Sequence, residues 1–92
     1  MARIRHVEER DGRWYFLFQP EAGESFESVL RLFKWHLPVA ERAWHEDTKR
    51  WSVAVSEENN ARLDLVFANF VSARKALKDQ LSLFSLGAER DG

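Results

Sequence analysis

RIRHVEERDGRWYFLFQ, residues 3–19, contains the clearest indication of the fold. At its centre stands Asp11-Gly12, a pair that tolerates the positive φ angles of a two-residue hairpin turn. After this turn every second residue is a large aromatic one: Trp14, Phe16 and Phe18. Such alternation is typical of a strand with one buried face. The segment therefore predicts a β-hairpin. A tight turn places Val7 opposite Phe16, and it places Arg5 opposite Phe18.

A helix is predicted after the hairpin. Pro20 and Gly23 end the second strand, and Ser25 is of a residue type that caps helix N-termini. Apolar residues then recur at helical spacing: Phe26, Val29, Leu30, Phe33 and Leu37. This spacing predicts an amphipathic helix that ends before Pro38.

A second hairpin and a second helix follow. Ala43-Trp44 and the segment from Arg50 to Val55 flank a polar turn, residues 46–49, which places Trp44 opposite Trp51. Ser56 and the two glutamates after it are typical of a helix start. The apolar stripe of this helix consists of Leu63, Val66, Phe67, Phe70, Ala73 and Leu77. The predicted order of elements is ββαββα.

These elements predict a small single α+β domain, residues 1–79, followed by a C-terminal tail, residues 80–92. We expect both hairpins to join one antiparallel sheet and both helices to pack on one face of it. The residues expected to share the core are Trp14, Phe16, Phe18, Phe26, Leu30, Phe33, Val53, Phe67 and Phe70.

The composition argues against several classes of function. The chain has no cysteine, so it offers no disulfide, no thiolate nucleophile and none of the common cysteine-based zinc sites. Its histidines, His6, His36 and His45, fall on different predicted elements and form no known metal motif. No serine lies in a strained turn or beside a histidine in sequence, as a nucleophile would. We therefore expect a binding protein without a cofactor or a metal, and not an enzyme.

Charge and hydropathy limit where the protein can act. No uncharged stretch approaches the ~18 residues that a membrane span requires, so we expect a cytoplasmic protein without membrane contact. The net charge is −1, which does not attract nucleic acid to the molecule as a whole. Any contact with DNA must therefore come from a local patch.

The segment from Phe26 to Phe70 resembles a known domain. A helix leads into Leu37-Pro38, and then Trp44, Asp47 and Trp51 precede a short strand. This order is similar to that of the HARP domain, which is found beside the motor of eukaryotic annealing helicases. In that family the domain helps the enzyme to recognise branched or partly single-stranded DNA. The resemblance implies a similar DNA contact here, without an ATPase, because this sequence contains no motor.

The second hairpin supplies the candidate DNA-binding residues: Arg42, Trp44, Lys49, Arg50 and Trp51. The cations would bind phosphates, and a tryptophan would offer a face on which an unpaired base stacks. The alternative is that Trp44 and Trp51 form a cross-strand core pair with a solvated polar turn between them. The two interpretations are compatible if one tryptophan is buried and the other exposed.

A second motif lies near the C-terminus: Gln80, Leu81, Ser82, Leu83 and Phe84. All five positions agree with the sliding-clamp-binding motif of bacterial polymerases and repair proteins, which this segment resembles. The resemblance implies that the amide of Gln80 binds at a pocket rim while Leu83 and Phe84 fill an apolar cleft. The alternative is that Leu77, Leu81 and Phe84 continue the helix stripe into the core, although Leu83 falls off that stripe.

Together these features predict an accessory or adaptor protein of bacterial DNA replication or repair. It would bind single-stranded or branched DNA and would tether to the sliding clamp. The alternative is a protein-interaction or oligomerisation module without a nucleic-acid role. A dimer that buries Trp14 or Trp35 would favour this alternative.

Overall fold

The computed structural model describes residues 1–79, which form a four-stranded antiparallel sheet and three helices. The strands are β1 (Arg3–Arg10), β2 (Arg13–Gln19), β3 (Arg42–His45) and β4 (Arg50–Ala54). The helices are α1 (Phe26–His36), α2 (Glu57–Val66) and α3 at residues 70–79. The strand order is β1-β2-β4-β3, so the two hairpins join through β2 and β4. The predicted α+β class with two antiparallel hairpins is confirmed, with three helices instead of two.

The first hairpin has the predicted tight turn and one irregularity. Asp11 and Gly12 both have positive φ angles, 53° and 73°, as a two-residue hairpin turn requires. A bulge between Arg5 and Glu8 then shifts the register by one residue. Arg5 therefore lies opposite Leu17, and the predicted pairing of Arg5 with Phe18 is wrong.

The bulge has a physical reason. Ile4 is buried and Val7 packs against the core, but residues three apart lie on opposite faces of a regular strand. His6, with a φ of 52°, provides the extra residue that lets both side chains face the core. Ile4 consequently takes the position opposite Phe18.

One core lies between the sheet and the helices. The predicted core residues that are fully or almost fully buried are Trp14, Phe16, Phe18, Phe33, Val53, Phe67 and Phe70. Leu30 is partly buried and packs against them. The prediction that Phe26 lies in the core is wrong, since this residue is 53% exposed. It lies at the edge of the core, where one side of its ring stacks on Phe18 with the centroids 5.1 Å apart.

The predicted second helix is interrupted. α2 ends at Val66, and the backbone of Phe67 is extended, with φ −118° and ψ 128°. This break turns the ring of Phe67 onto Phe16 and Phe18, with centroid distances of 5.8 and 5.5 Å. The turn also brings Asn69 to the outer edge of β1. There its side-chain amide accepts from the N–H of Ile4 at 2.7 Å and donates to its carbonyl at 3.0 Å.

Both predicted helix caps are present. The side chain of Ser25 accepts from the N–H of Ser28 at 3.1 Å, and that of Ser56 accepts from the N–H of Asn59 at 3.0 Å. Within residues 1–79, no helix has the length and apolar character that crossing a membrane demands.

Candidate nucleic-acid interface

The sheet has a core face, which packs on the helices, and an opposite face, here called the open face. Because side chains alternate along a strand, the core positions Trp14 and Phe16 assign Tyr15 to the open face. The cross-strand register extends this face to the other strands, since Tyr15 lies opposite Glu8 and Ser52. Its charged or aromatic members are Arg3, Arg5, Glu8, Arg10, Arg13, Tyr15, His45 and Arg50.

Positive charge is concentrated on the open face. Within the four strands, five arginines point to this face, and Glu8 is the one acidic residue among them. The chain as a whole carries 14 lysines and arginines against 15 acidic residues, so the face departs strongly from the average. This is a local cationic patch of the kind that a protein of net charge −1 needs for contact with nucleic acid.

Tyr15 lies at the centre of the open face, on an inner strand. Its ring is 5.2 Å from the ring of His45, and the guanidinium carbon of Arg10 lies 4.8 Å from its centroid. Tyr15 is half-buried, so part of this residue is exposed to solvent. Tyr15 therefore combines an aromatic ring with a cation packed against it.

A buried hydroxyl positions two other members of the face. Ser52 has no exposed surface, and its Oγ accepts from Nε of Arg13 at 2.9 Å and shares a hydrogen bond with Nε2 of His45 at 2.6 Å. Arg13 also donates to the carbonyl of Glu41 at 3.2 Å. The buried hydroxyl of Ser52 thus joins Arg13 and His45 and fixes their orientation.

Arg10 and Arg50 make only long ion pairs. Arg50 lies 3.5 Å from the carboxylate of Glu8, and Arg10 lies 3.9 Å from the same group. Exposed ion pairs of this kind contribute about 0–1 kcal/mol. A phosphate can therefore replace Glu8 as the partner of either arginine at little cost.

The five candidate residues of the second hairpin do not share one surface. Arg50 lies on the open face, whereas Arg42, Trp44 and Trp51 lie on the core face. Lys49 is in the turn, where it pairs with Glu46. Nε of Arg42 donates to the carbonyl of Leu37 at 2.9 Å, which ties this side chain to the end of α1. Their role in DNA binding stays a prediction, which is strongest for Arg50.

The predicted opposition of Trp44 and Trp51 is confirmed, with ring centroids 5.4 Å apart. Trp51 is partly buried and packs edge-on against Phe33 at 5.0 Å, whereas Trp44 is 44% exposed. The indole N–H of Trp44 donates to Glu46 at 2.8 Å. The pair thus has one inner and one outer member.

Sequence reasoning missed most of the open face. The signal was present in β2, because Arg13 and Tyr15 alternate with the core residue Trp14 and so belong to the other face. Arg10 also follows from the tight turn, which places it opposite Arg13. Arg3 and Arg5 could not be added in the same way, because the bulge at His6 changes the facing of β1 before them. The strand order that places β4 beside β2 was not predicted either.

The predicted clamp-binding residues, Gln80, Leu81, Ser82, Leu83 and Phe84, lie outside the described residues. Within residues 1–79, no three histidine, aspartate or glutamate side chains are grouped as metal ligands would be. No family model, curated protein or solved structure matches the chain significantly.

Proposed function

We propose that this protein is an accessory or adaptor protein of bacterial DNA replication or repair. It binds single-stranded or branched DNA on the open face of its sheet, and residues 80–84 tether it to the sliding clamp. The observation that carries the DNA-binding part is the set of five arginines on the same sheet face as Tyr15, with one acidic residue among them. The clamp part is supported by the five-position agreement of the sequence motif.

The open face provides the two interactions that unpaired DNA needs. Arginines bind phosphates through paired N–H groups and release counterions, which gives affinity without sequence preference. The ring of Tyr15 can stack on an unpaired base, whereas the bases of an intact duplex are not accessible to it. A base that stacks there takes the place of the Arg10 guanidinium, which then becomes free to contact a phosphate.

The geometry of the sheet gives this surface its reach. Arg10, Arg13 and Arg50 come from three neighbouring strands, and adjacent strands lie about 4.8 Å apart. The arginines therefore span on the order of 10 Å across the sheet, enough to contact more than one phosphate. Sheets with exposed aromatic residues are a common platform for single-stranded nucleic acid.

The two interactions would reinforce each other. Insertion of a few apolar side chains into the clamp gives an affinity of about micromolar strength. A weak DNA contact joined to a weak clamp contact forms a firm tether, because the second binding event becomes intramolecular.

A matched pair of triple variants tests the DNA-binding surface. R5Q/R10Q/R50Q removes three charges from the open face, and R31Q/K75Q/K78Q removes three exposed charges from the helices. Fluorescence anisotropy with labelled single-stranded, forked and duplex DNA should show at least a tenfold loss for the first variant. The salt slope should fall by about 2, because each lost phosphate contact on a single strand removes ~0.7. Equal losses for the two variants would refute the assignment to the open face.

One observation favours the alternative function as a protein-interaction module. Trp35 on the outer side of α1 is 83% exposed, and Leu32 one turn earlier is 40% exposed. Trp14 is excluded as an interface residue because it is buried and its indole N–H donates to Asn60 at 2.8 Å. Sedimentation equilibrium of the parent and of W35A tests this function. A dimer that W35A disrupts would support it, and a parent that stays monomeric at 100 µM would not.

A further inference from the structure

We infer that the free edge of β3, together with the groove beside Trp44, is a docking site for an extended peptide of a partner protein. The peptide would carry a large apolar residue and, two positions away, an acidic one. This site lies on the side of the sheet opposite to the proposed DNA surface and uses different residues. It stands independently of the DNA-binding proposal.

The backbone of β3 offers unpaired hydrogen-bonding groups. The N–H of Ala54 donates to the carbonyl of Glu41 at 3.0 Å, so these two residues stand at a hydrogen-bonding position of the ladder between β3 and β4. Hydrogen-bonded pairs alternate in an antiparallel ladder, so Ala43 and His45 also pair with β4. Arg42 and Trp44 lie between them and must direct their N–H and C=O groups away from β4. Among residues 1–79 no other group binds them, since β3 is the last strand of the sheet.

The same strand borders an apolar groove. The groove has a volume of about 380 Å³ and is lined by Phe26, Leu30, Lys34, Trp44 and Trp51. Trp44 and Phe26 are 44% and 53% exposed, so two aromatic rings at this groove remain accessible. A strand added to β3 would place alternate side chains on the core-face side, next to Trp44 at the groove mouth.

The free backbone groups of β3 and the apolar groove beside it together favour an extended peptide as the ligand of this site. Two N–H donors and two carbonyl acceptors, carried by Arg42 and Trp44, match the backbone of an extended peptide, whereas a nucleobase has no such repeat. The groove takes the apolar side chain that the peptide presents on that side. Lys34 is the one charged residue lining the groove, which favours an acidic side chain nearby.

A second copy of this chain fits less well. In the antiparallel register that uses both outward-facing residues of β3, Arg42 of each copy would stand beside Trp44 of the other. This arrangement brings a second cation to the groove mouth, close to Lys34. Like charges at that position disfavour self-pairing, whereas an acidic partner is attracted.

The probe is the peptide acetyl-Thr-Asp-Thr-Phe-Thr-Val-Thr-amide, titrated into the ¹⁵N-labelled full chain and followed by amide and indole chemical shifts. Binding should shift the amides of Arg42, Ala43 and Trp44 and the indole N–H of Trp44. Methylation of the phenylalanine nitrogen removes a donor that points at β3 and should weaken binding at least tenfold. Methylation of the preceding threonine nitrogen, which points away from β3, should leave the affinity within twofold.

Two variants add to the test. W44A should abolish the shifts, with thermal unfolding used to verify that the variant is folded. K34E should lower the affinity for the parent peptide at least threefold. It should raise the affinity for a peptide in which lysine replaces aspartate. The proposal is overturned if 2 mM peptide causes no shifts or if the two methylated peptides bind equally. It is also overturned if single-stranded DNA shifts this same set of residues, or if the free chain is a dimer that W44A dissociates.

Discussion

The hydroxyl of Ser52 accepts a hydrogen bond from Nε of Arg13 at 2.9 Å on the open face of the sheet, although Ser52 itself has no exposed surface. A fully buried hydroxyl thus holds a surface cation in a fixed orientation. His45 is tied to the same oxygen at 2.6 Å, so one small side chain orients two neighbours of Tyr15.

We expect S52A to lower the free energy of unfolding by about 1–3 kcal/mol, because it removes a buried partner from two polar side chains. It should also weaken binding of single-stranded DNA, by less than the loss of three arginines does, because Arg13 keeps its charge but loses its orientation. Urea unfolding and anisotropy measure the two effects. The control is S72A, which removes an exposed hydroxyl that donates to the carbonyl of Asn69 and should cost under ~0.5 kcal/mol. If S52A were as stable as S72A, the buried hydroxyl of Ser52 would not be stabilising the fold through Arg13 and His45.

Asn69 should be the most sensitive polar residue of the turn between α2 and α3. Its amide replaces a neighbouring strand at the edge of β1, because it binds both the N–H and the carbonyl of Ile4. N69A should lower the free energy of unfolding by about 1–3 kcal/mol. N69D keeps an acceptor for the N–H of Ile4 but places a carboxylate against its carbonyl, so at neutral pH it should not restore stability. If N69D had the same urea midpoint as the parent, the amide of Asn69 would not be replacing a neighbouring strand at the edge of β1.

The cations of the second hairpin should separate by face. R50A alone should reproduce most of the loss of DNA affinity caused by replacing Arg42, Lys49 and Arg50 together, because only Arg50 lies on the open face. R42A should instead lower stability, since Arg42 donates to the carbonyl of Leu37. K49A should change neither property strongly. If R42A reduced DNA affinity as much as R50A at equal stability, the DNA surface would extend to the core face.

Local chemistry explains which parts of the fold were predictable. Asp11-Gly12 marks its turn because few residue types accept two consecutive positive φ angles, and Ser25 and Ser56 mark helix starts because their side chains satisfy free N–H groups. The break at Phe67 was not predictable from these signals, since its apolar spacing also fits a continuous helix. The break exists because tertiary contacts at Phe16 and Ile4 stabilise it.

The same distinction applies to the candidate site. The alternation of β2 contains Tyr15 and Arg13, and the tight turn places Arg10 opposite Arg13. Arg3 and Arg5 reach the face only through the bulge at His6, and Arg50 joins it only through the pairing of β4 with β2. Such long-range pairing leaves no short-range sequence pattern. The opposition of Trp44 and Trp51 was predictable because a short turn joins their strands, but the groove also needs α1 above them.

Glu46 should give a small contribution to stability at neutral pH that is lost in acid. The hydrogen bond from Lys49, followed by that from the Trp44 indole, holds the pKa of this carboxylate below its usual 4.5. A carboxylate whose pKa is lower in the folded state than in the unfolded state stabilises the fold at pH values above its unfolded-state pKa. This stabilisation is lost as the pH falls through the folded-state pKa. NMR titration of the Glu46 side chain should therefore show a midpoint below 4.5, which K49Q moves upward. Because the group is exposed, 1 M salt should reduce the difference, and an unchanged midpoint in K49Q would contradict the assignment.

The clamp motif can be tested separately from the fold. If Gln80 to Phe84 is a clamp ligand, L83A/F84A should abolish binding to purified bacterial clamp, because these residues supply the apolar contacts that the motif implies. The thermal midpoint should stay nearly unchanged, since a side chain displayed for a partner contributes little to the core. S85A/L86A, just outside the motif, is the matched control and should bind like the parent. A peptide of residues 78–86 should compete with a known clamp ligand. If L83A/F84A instead costs the ~2–5 kcal/mol of deleted core side chains and the peptide fails to compete at high micromolar concentration, these residues belong to the core.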